Sequence, residues 1–307
     1  MTLHYALDSF VLEQRLKGNT TKTVEGYRWF IRRFLDWLLS CDITDIDQLT
    51  LLHVQEYQLY LDTKQADSSP KKKLSKKTVQ TYIRHIRVFL AFCYAEDFIH
   101  EPIHTKLKLP KAERPAIEII TDDEVDIIMA TFSRSEMGLR NQALISLLLD
   151  SGLRLSEASG LLSQHINFEK GYIKVLGKGR KERIVPIGLK VRRAMISYVH
   201  KRRQADHPEE DAYFFLSKHR KPMTAKCIAQ LMRRLKKKTG ILRLHAHLFR
   251  HTFATNFLIH GLGDVYELSR ILGHSEIKVT EGYLQLASFY TIIEKNRKFS
   301  YLDTIKR

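Results

Sequence analysis

Cysteine is scarce in this chain, and its placement excludes more than its number. Cys41, Cys93 and Cys227 lie far apart and form no C-x-x-C. That pattern argues against a disulfide framework or a zinc ribbon and fits a reducing compartment. Long apolar runs are missing too: no stretch approaches the roughly 18 apolar residues of a membrane span. The first residues, Met1 to Asp8, contain an early acid and no apolar core of signal-peptide length. Internal repeats and low-complexity tracts are absent as well. The expectation is a cytoplasmic or nucleoid-associated protein with no membrane partner.

Negative charge is the largest deficit. Asp and Glu number 34 against 51 Lys and Arg, a formal charge of +17. Such an excess attracts polyanions, of which DNA phosphate is the commonest. At 307 residues, 44% of them apolar, the chain is long for one core and has material for two.

Residues 1–100 read as a compact bundle of four or five helices. From Thr23 to Ser40, Val24, Tyr27, Ile31, Phe34, Leu35 and Leu38 recur at the spacing of one buried helix face. Ser75 to Phe98 repeats the pattern with Val79, Tyr82, Ile86, Phe89, Leu90 and Cys93, and shorter helical patterns occupy Leu3–Leu16 and Thr50–Asp62. Between Asp67 and Lys77 a loop carries Lys71, Lys72, Lys73, Lys76 and Lys77, either a solvated loop or a set of phosphate contacts. Pro102, Pro110 and Pro115 interrupt residues 101–117, the expected interdomain linker.

The second domain, residues 118–307, reads as mostly α with a small antiparallel sheet. Thr121-Asp-Asp-Glu124 matches a capping box, and another helix covers Leu139–Leu149. Two β-branched runs, Gly171–Leu176 and Arg183–Ile187, flank a Gly-rich turn and predict a hairpin. Helical patterns then resume.

The residues able to do chemistry sit in this domain. Cleaving a phosphodiester needs charge neutralised on the non-bridging oxygens, an in-line nucleophile, and a proton for the leaving 5′-oxygen. Arginine suits the first task because its fork grips two oxygens and stays charged. Arg154 lies at a Gly-broken turn, with Ser156 and Glu157 able to start the next helix. His247 and Arg250 fall at i and i+3 on one helix face. Lys178 occupies the hairpin turn, beside Arg180 and Lys181, where a flexible cation reaches a bound strand and can act as general acid. His274 follows Gly273, and Tyr283 lies nine residues further on. A phenol needs cations or a base nearby to act as a nucleophile at neutral pH.

Metal chemistry is not expected. His247 and His251 have the i, i+4 spacing of zinc ligands, but Leu248 stands where H-E-x-x-H requires Glu. His245-Ala-His247 has no cysteine and few acids around it.

Taken together, Gly-Leu-Arg154-Leu-Ser-Glu157, Gly-Lys178-Gly-Arg-Lys-Glu-Arg183, His247-x-x-Arg250, Leu-Gly-His274-Ser and Tyr283 resemble the motifs of tyrosine recombinases of the phage integrase and Xer group. Lys178 lies 24 residues after Arg154, the spacing usual in that group. The resemblance covers nearly the whole length. It implies a tyrosine recombinase fold: an N-terminal SAM-like, helical core-binding domain, then a mainly α catalytic domain with a small sheet. It assigns Arg154 and Arg250 to the phosphate, with His247 and His274 in support. Lys178 becomes the proton donor and Tyr283 the nucleophile. It also implies a 3′-phosphotyrosine, a Holliday junction and no cofactor. The implied assembly is a homo-tetramer, or a hetero-tetramer with a paralogue, on two double-stranded DNA sites. Leu286 to Arg307 then reads as an arm for a neighbouring protomer, with Phe289, Tyr290, Ile292 and Ile293 as its apolar face. Gly282 before the tyrosine is less usual in the group, the tail Arg297–Asp303 is closer to mobile-element integrases, and no arm-binding domain of the lambda type is expected. Type IB topoisomerases share the chemistry, and a non-catalytic DNA-binding relative is the alternative from another class.

Overall fold

The computed structural model describes residues 1–66, 69–111, 118–177, 182–203 and 213–298. The side chains of residues 65, 66, 69–72, 203 and 294–298 lie outside that description. The chain divides into two compact units, Met1–Pro115 and Ala116–Arg307.

In the first unit, α1 (Leu3–Leu16), α2 (Thr21–Leu39), α3 (Leu51–Thr63) and α4 (Lys76–Ala95) follow the apolar stripes of the sequence. Thr2, Thr20 and Ser75 cap three of them, each side-chain oxygen accepting from a first-turn backbone N–H. Phe10 of α1 is fully buried and meets Tyr27, Phe89 and Phe92 edge-on at 5.4 to 5.6 Å.

Two features differ from expectation. The lysine-rich stretch contributes β2 (Ser69–Lys73), which pairs antiparallel, with a register shift, with β1 (Gln65–Ala66) just before it. The stretch read as a linker contributes α5 (Ile103–Lys106), and Ile103 and Leu107 are buried in the first core. Burial of apolar side chains outweighs the helix-breaking prolines there, because α5 fits between Pro102 and Pro110. Residues 112–117 lie outside the described residues.

The second unit contains α6 (Asp122–Ala130), α7 (Glu136–Ser151), α8 (Leu155–Ser159), β3 (Ile166–Asn167), β4 (Tyr172–Leu176), β5 (Glu182–Pro186), α9 (Leu189–Arg203), α10 (Ala225–Thr239), α11 (Ala246–Ile259), α12 (Val265–Leu272) and α13 (Lys278–Lys298). The sheet is antiparallel in the order β3-β4-β5, and Leu176 opposite Glu182 sets the hairpin register. Strand β3 is an addition to the expected pair; at two residues it is too short for an alternation to show. Leu144, Leu147 and Leu148 of α7 share the core with Ile173, Val185, Tyr198 and Phe249. Thr121 caps α6 in the expected capping box with Glu124.

Two helix ends and one helix start position the site. Gly152 ends α7 in the left-handed conformation, at φ 59°. Arg154, two residues on, is the N-cap of α8. Gly273 ends α12 in the same way, at φ 66°. Among the described residues, no helix is long and apolar enough to cross a membrane.

Candidate active site

The last carbonyls of a helix have no intrahelical partner and carry the negative end of its dipole. At the end of α12 three consecutive ones are taken by three arginines. Arg183 Nε donates to Ile271 O at 2.7 Å, Arg250 Nη2 to Leu272 O at 2.8 Å, and Arg154 Nη2 to Gly273 O at 3.0 Å. These arginines come from β5, α11 and the start of α8, so one helix end gathers cations from three elements.

Glu157 joins two of them. Its carboxylate accepts from Arg183 Nη1 and Nη2 at 2.8 Å each, from Arg154 Nη1 at 3.0 Å, and from the Arg154 backbone N–H at 2.8 Å. Burial alone would raise this carboxyl; hydrogen bonds from Arg183 and Arg154 outweigh it and hold it below the usual carboxylate range.

Arg250 is 3% exposed and also donates through Nη1 to Gly152 O at 2.8 Å. Burial, then repulsion from Arg154, pushes its guanidinium down to about 10, so it stays charged at neutral pH. Its Nη2 reaches His274 Nε2 at 2.9 Å. A guanidinium only donates, so Nε2 accepts, and His274 is neutral with its proton on Nδ1. That Nδ1–H donates to Thr280 Oγ1 at 2.8 Å, on a fully buried threonine of α13. Burial and the charges of Arg250, Arg154 and Arg183 push His274 down to about 4, in agreement. Burial, Arg250, His245 and Arg154 likewise lower His247.

Tyr283, 5% exposed on α13, packs with Ala254, Phe257, Leu268 and Leu272. Burial raises its phenol, and Arg250 opposes that rise. Its hydroxyl lies 2.8 Å from His251 Nδ1. Among the described residues, these contacts use three of the five Arg250 N–H groups and two of those on Arg154. Donors therefore remain for an anion between the two arginines, beside a buried tyrosine.

Five expected residues, Arg154, His247, Arg250, His274 and Tyr283, are thus brought together. Lys178, Arg180 and Lys181 lie outside the described residues. Lys71, Lys72 and Lys73 are on β2 in the first unit. Lys73 is exposed, and the side chains of the other two lie outside the description.

Arg183, Glu157, His251 and Thr280 carry contacts that the sequence reading did not assign. Arg183 was legible in retrospect, since it alternates with Val185 and Ile187 on the core-facing side of its strand. Thr280, one helical turn before Tyr283, gave no such signal. The first part of the tail expected to begin near residue 286 is helical. α13 runs on continuously from before Tyr283, with Phe289, Ile292 and Ile293 exposed along it.

A model of the phage integrase family matches residues 118–288, more than half of the chain, and the phage integrase SAM-like domain matches residues 2–109. The chain belongs to the phage integrase family. This integrase-family chain is 30% identical over 290 residues to tyrosine recombinase XerD of Bifidobacterium longum (strain NCC 2705), covering 91% of each. It is 28% identical over 277 residues to tyrosine recombinase XerC of Bacillus pumilus (strain SAFR-032), covering 88% of each. Its fold is that of the Tn1549 transposon integrase in complex with transposon right end DNA. The TM-score there is 0.72 at 22% identity, covering 98% of this chain and 100% of the other. XerH site-specific recombinase bound to palindromic difH substrate shares the fold at TM-score 0.70 and 16% identity, over 94% and 83% of the two chains.

Proposed function

We propose that this phage integrase family member is a site-specific DNA recombinase that cuts and rejoins strands through a 3′-phosphotyrosine. The observation that carries the reading is the set of three arginines on the carbonyls of residues 271, 272 and 273, next to a buried tyrosine. Arg154 and Arg250 are held in place before any ligand arrives, so little reorganisation is needed when charge develops on the phosphate. His274, neutral and held by Thr280, keeps Arg250 oriented. His247 lies where Arg250 and Arg154 both depress its proton affinity, and it supports the same phosphate.

Tyr283 attacks phosphorus as the bond to the 5′-oxygen breaks, and Lys178 protonates that oxygen. The energy of the broken bond is kept in the phosphotyrosine, so the chemistry calls for neither ATP nor a metal. A 5′-hydroxyl from the partner strand then attacks the phosphotyrosine, giving a Holliday junction that a second round resolves. The partner is double-stranded DNA carrying recombination sites, bound by a tetramer of this chain or of this chain with a paralogue. The exposed face of Phe289, Ile292 and Ile293 docks on a neighbouring protomer. Mobile-element DNA is the proposed setting, supported by the likeness to a transposon integrase.

Covalent capture tests this. Nicked suicide duplexes of random sequence are incubated with the full chain, and DNA joined to protein is recovered and sequenced. A recovered consensus, lost in Tyr283→Phe with binding retained, is the expected result. An adduct that persists in Tyr283→Phe moves the nucleophile elsewhere. Relaxation of supercoiled DNA without exchange between sites indicates a topoisomerase, and no adduct at all indicates a non-catalytic binding protein.

A further inference from the structure

In-line attack by a tyrosine leaves one proton unaccounted for. The general acid serves the leaving oxygen, so the phenolic proton needs a separate acceptor. Here the tyrosine is 5% exposed and packs among apolar side chains, so a protein group beside its hydroxyl is better placed to take the proton than bulk water. His251 Nδ1 stands 2.8 Å from the Tyr283 oxygen, with ring centroids 5.6 Å apart.

We propose that His251 is a catalytic residue of this site, accepting the Tyr283 proton during cleavage and returning it during rejoining. The inference rests on the recombinase reading above. In cleavage the Tyr283 Oη–H bond breaks and its proton passes to His251 Nδ1. The Oη–P bond forms as the P–O5′ bond breaks, and the 5′-oxygen leaves as a hydroxyl with the proton of the general acid. In rejoining a 5′-hydroxyl attacks phosphorus, gives its proton back to that acid, and expels Oη, which recovers its proton from His251.

The surroundings make this base conditional on substrate. His245, His247 and Arg250 face His251 from the start of α11 and from α11 itself, and Tyr283 faces it from α13. Burial and those neighbours lower the proton affinity of the imidazole and keep it neutral at neutral pH. A bound phosphate brings negative charge between Arg154 and Arg250 and offsets the field that opposes protonation. The acceptor therefore strengthens when there is a phosphate to attack. His247 is the competing acceptor, its ring centroid 6.2 Å from that of His251. Among the contacts of the described residues, the one to the phenol comes from His251, at 2.8 Å, and none comes from His247.

The experiment uses the full chain and the duplex recovered by covalent capture. Single-turnover adduct formation is measured for the native chain, His251→Asn, His251→Gln and His247→Asn. Each is made with tyrosine and with 3,5-difluorotyrosine at position 283. Difluorotyrosine ionises near neutral pH and needs no base. With tyrosine, His251→Asn is expected to slow adduct formation by about 100-fold, the low end of general-base catalysis. With difluorotyrosine that loss should shrink to a few-fold. His247→Asn should show the same loss with both nucleophiles.

A loss at His251 that is equal for both nucleophiles leaves it a positioning residue and overturns the proposal. So does the absence of any loss. Should both variants fold poorly, nitrogen NMR of the native chain decides the matter. The base role needs Nδ1 bare and the proton on Nε2, and a proton found on Nδ1 overturns it. If the native chain captures no DNA at all, the recombinase reading fails first, and the NMR result still stands on its own.

Discussion

Arg183 and Glu157, 26 residues apart in sequence, form a two-pronged ion pair with both contacts at 2.8 Å. The pair ties β5 to the helix start that carries Arg154. Both side chains are largely withdrawn from water, at 11% and 5% exposed. Removing one partner strands the other's charge. Glu157→Gln is therefore expected to destabilise the second unit by about 3–5 kcal/mol, read from chemical denaturation. Glu157 is held below its ordinary range, so its contribution is present above the unfolded carboxyl's pKa. It is lost as pH falls through the lower folded value. Denaturation midpoints of the native chain should fall with acid, and those of Glu157→Gln should fall less.

Arg250 acts both in the fold and in the chemistry. Arg250→Lys cannot reach Gly152 O, Leu272 O and His274 together, because an ammonium is a point and not a fork. Adduct formation should drop by about 10²–10³-fold. Stability should drop by about 1–3 kcal/mol as a buried carbonyl loses its donor. Arg154→Lys, at a more exposed side chain, should match the first effect with little of the second. Adduct rates and melting curves measured side by side separate the two.

His274 predicts an acid-sensitive fold. Its folded pKa of about 4 lies below the ordinary 6.5, so the unfolded chain binds the extra proton in that window. The contribution is complete above about 6.5 and is lost as pH falls toward 4. His247 and His251 are shifted in the same direction and add to the slope. Urea midpoints should decline across this window, with a shallower decline in His274→Asn. Identical slopes would count against a neutral His274.

Thr280 holds the His274 ring by one hydrogen bond. Thr280→Val keeps the volume and removes the acceptor, leaving a buried ring N–H unpaired at a cost of about 1–3 kcal/mol. Thr280→Ser retains the hydroxyl and should restore adduct formation lost in the valine variant. If the two variants behave alike, packing and not the hydrogen bond is what matters at this position.

Gly152 has no room for a side chain. A Cβ there would stand 2.4 Å from Phe253 Cδ1 and 2.9 Å from Leu272 Cδ2, at a φ of 59° that disfavours other residues. Gly152→Ala should cost about 1–3 kcal/mol from overpacking alone. It should also displace the Gly152 carbonyl that Arg250 uses, lowering adduct formation along with the melting temperature.

Local chemistry made much of this protein legible from its residues alone. Helix periodicity located α2 and α4, since an apolar stripe at i, i+3, i+4 has one way to be buried. The Gly-rich turn between β-branched runs located the β4–β5 hairpin. Gly152 and Gly273 marked helix ends, because left-handed backbone favours glycine. The resemblance named five residues that the structure then gathers, although their roles rest on the proposal above.

What pattern could not supply was partnership across long separations. Arg183 reaches Glu157 and Ile271, His251 reaches Tyr283, and Thr280 reaches His274. Residues 101–117 looked like a linker because prolines punctuate them, yet Ile103 and Leu107 found a core to enter. Composition and periodicity set the charge, the helices and the identities of the reactive groups, all properties of short stretches of chain. Only tertiary packing decided that three arginines share the last carbonyls of one helix, because it alone brings α8, β5 and α11 to the end of α12.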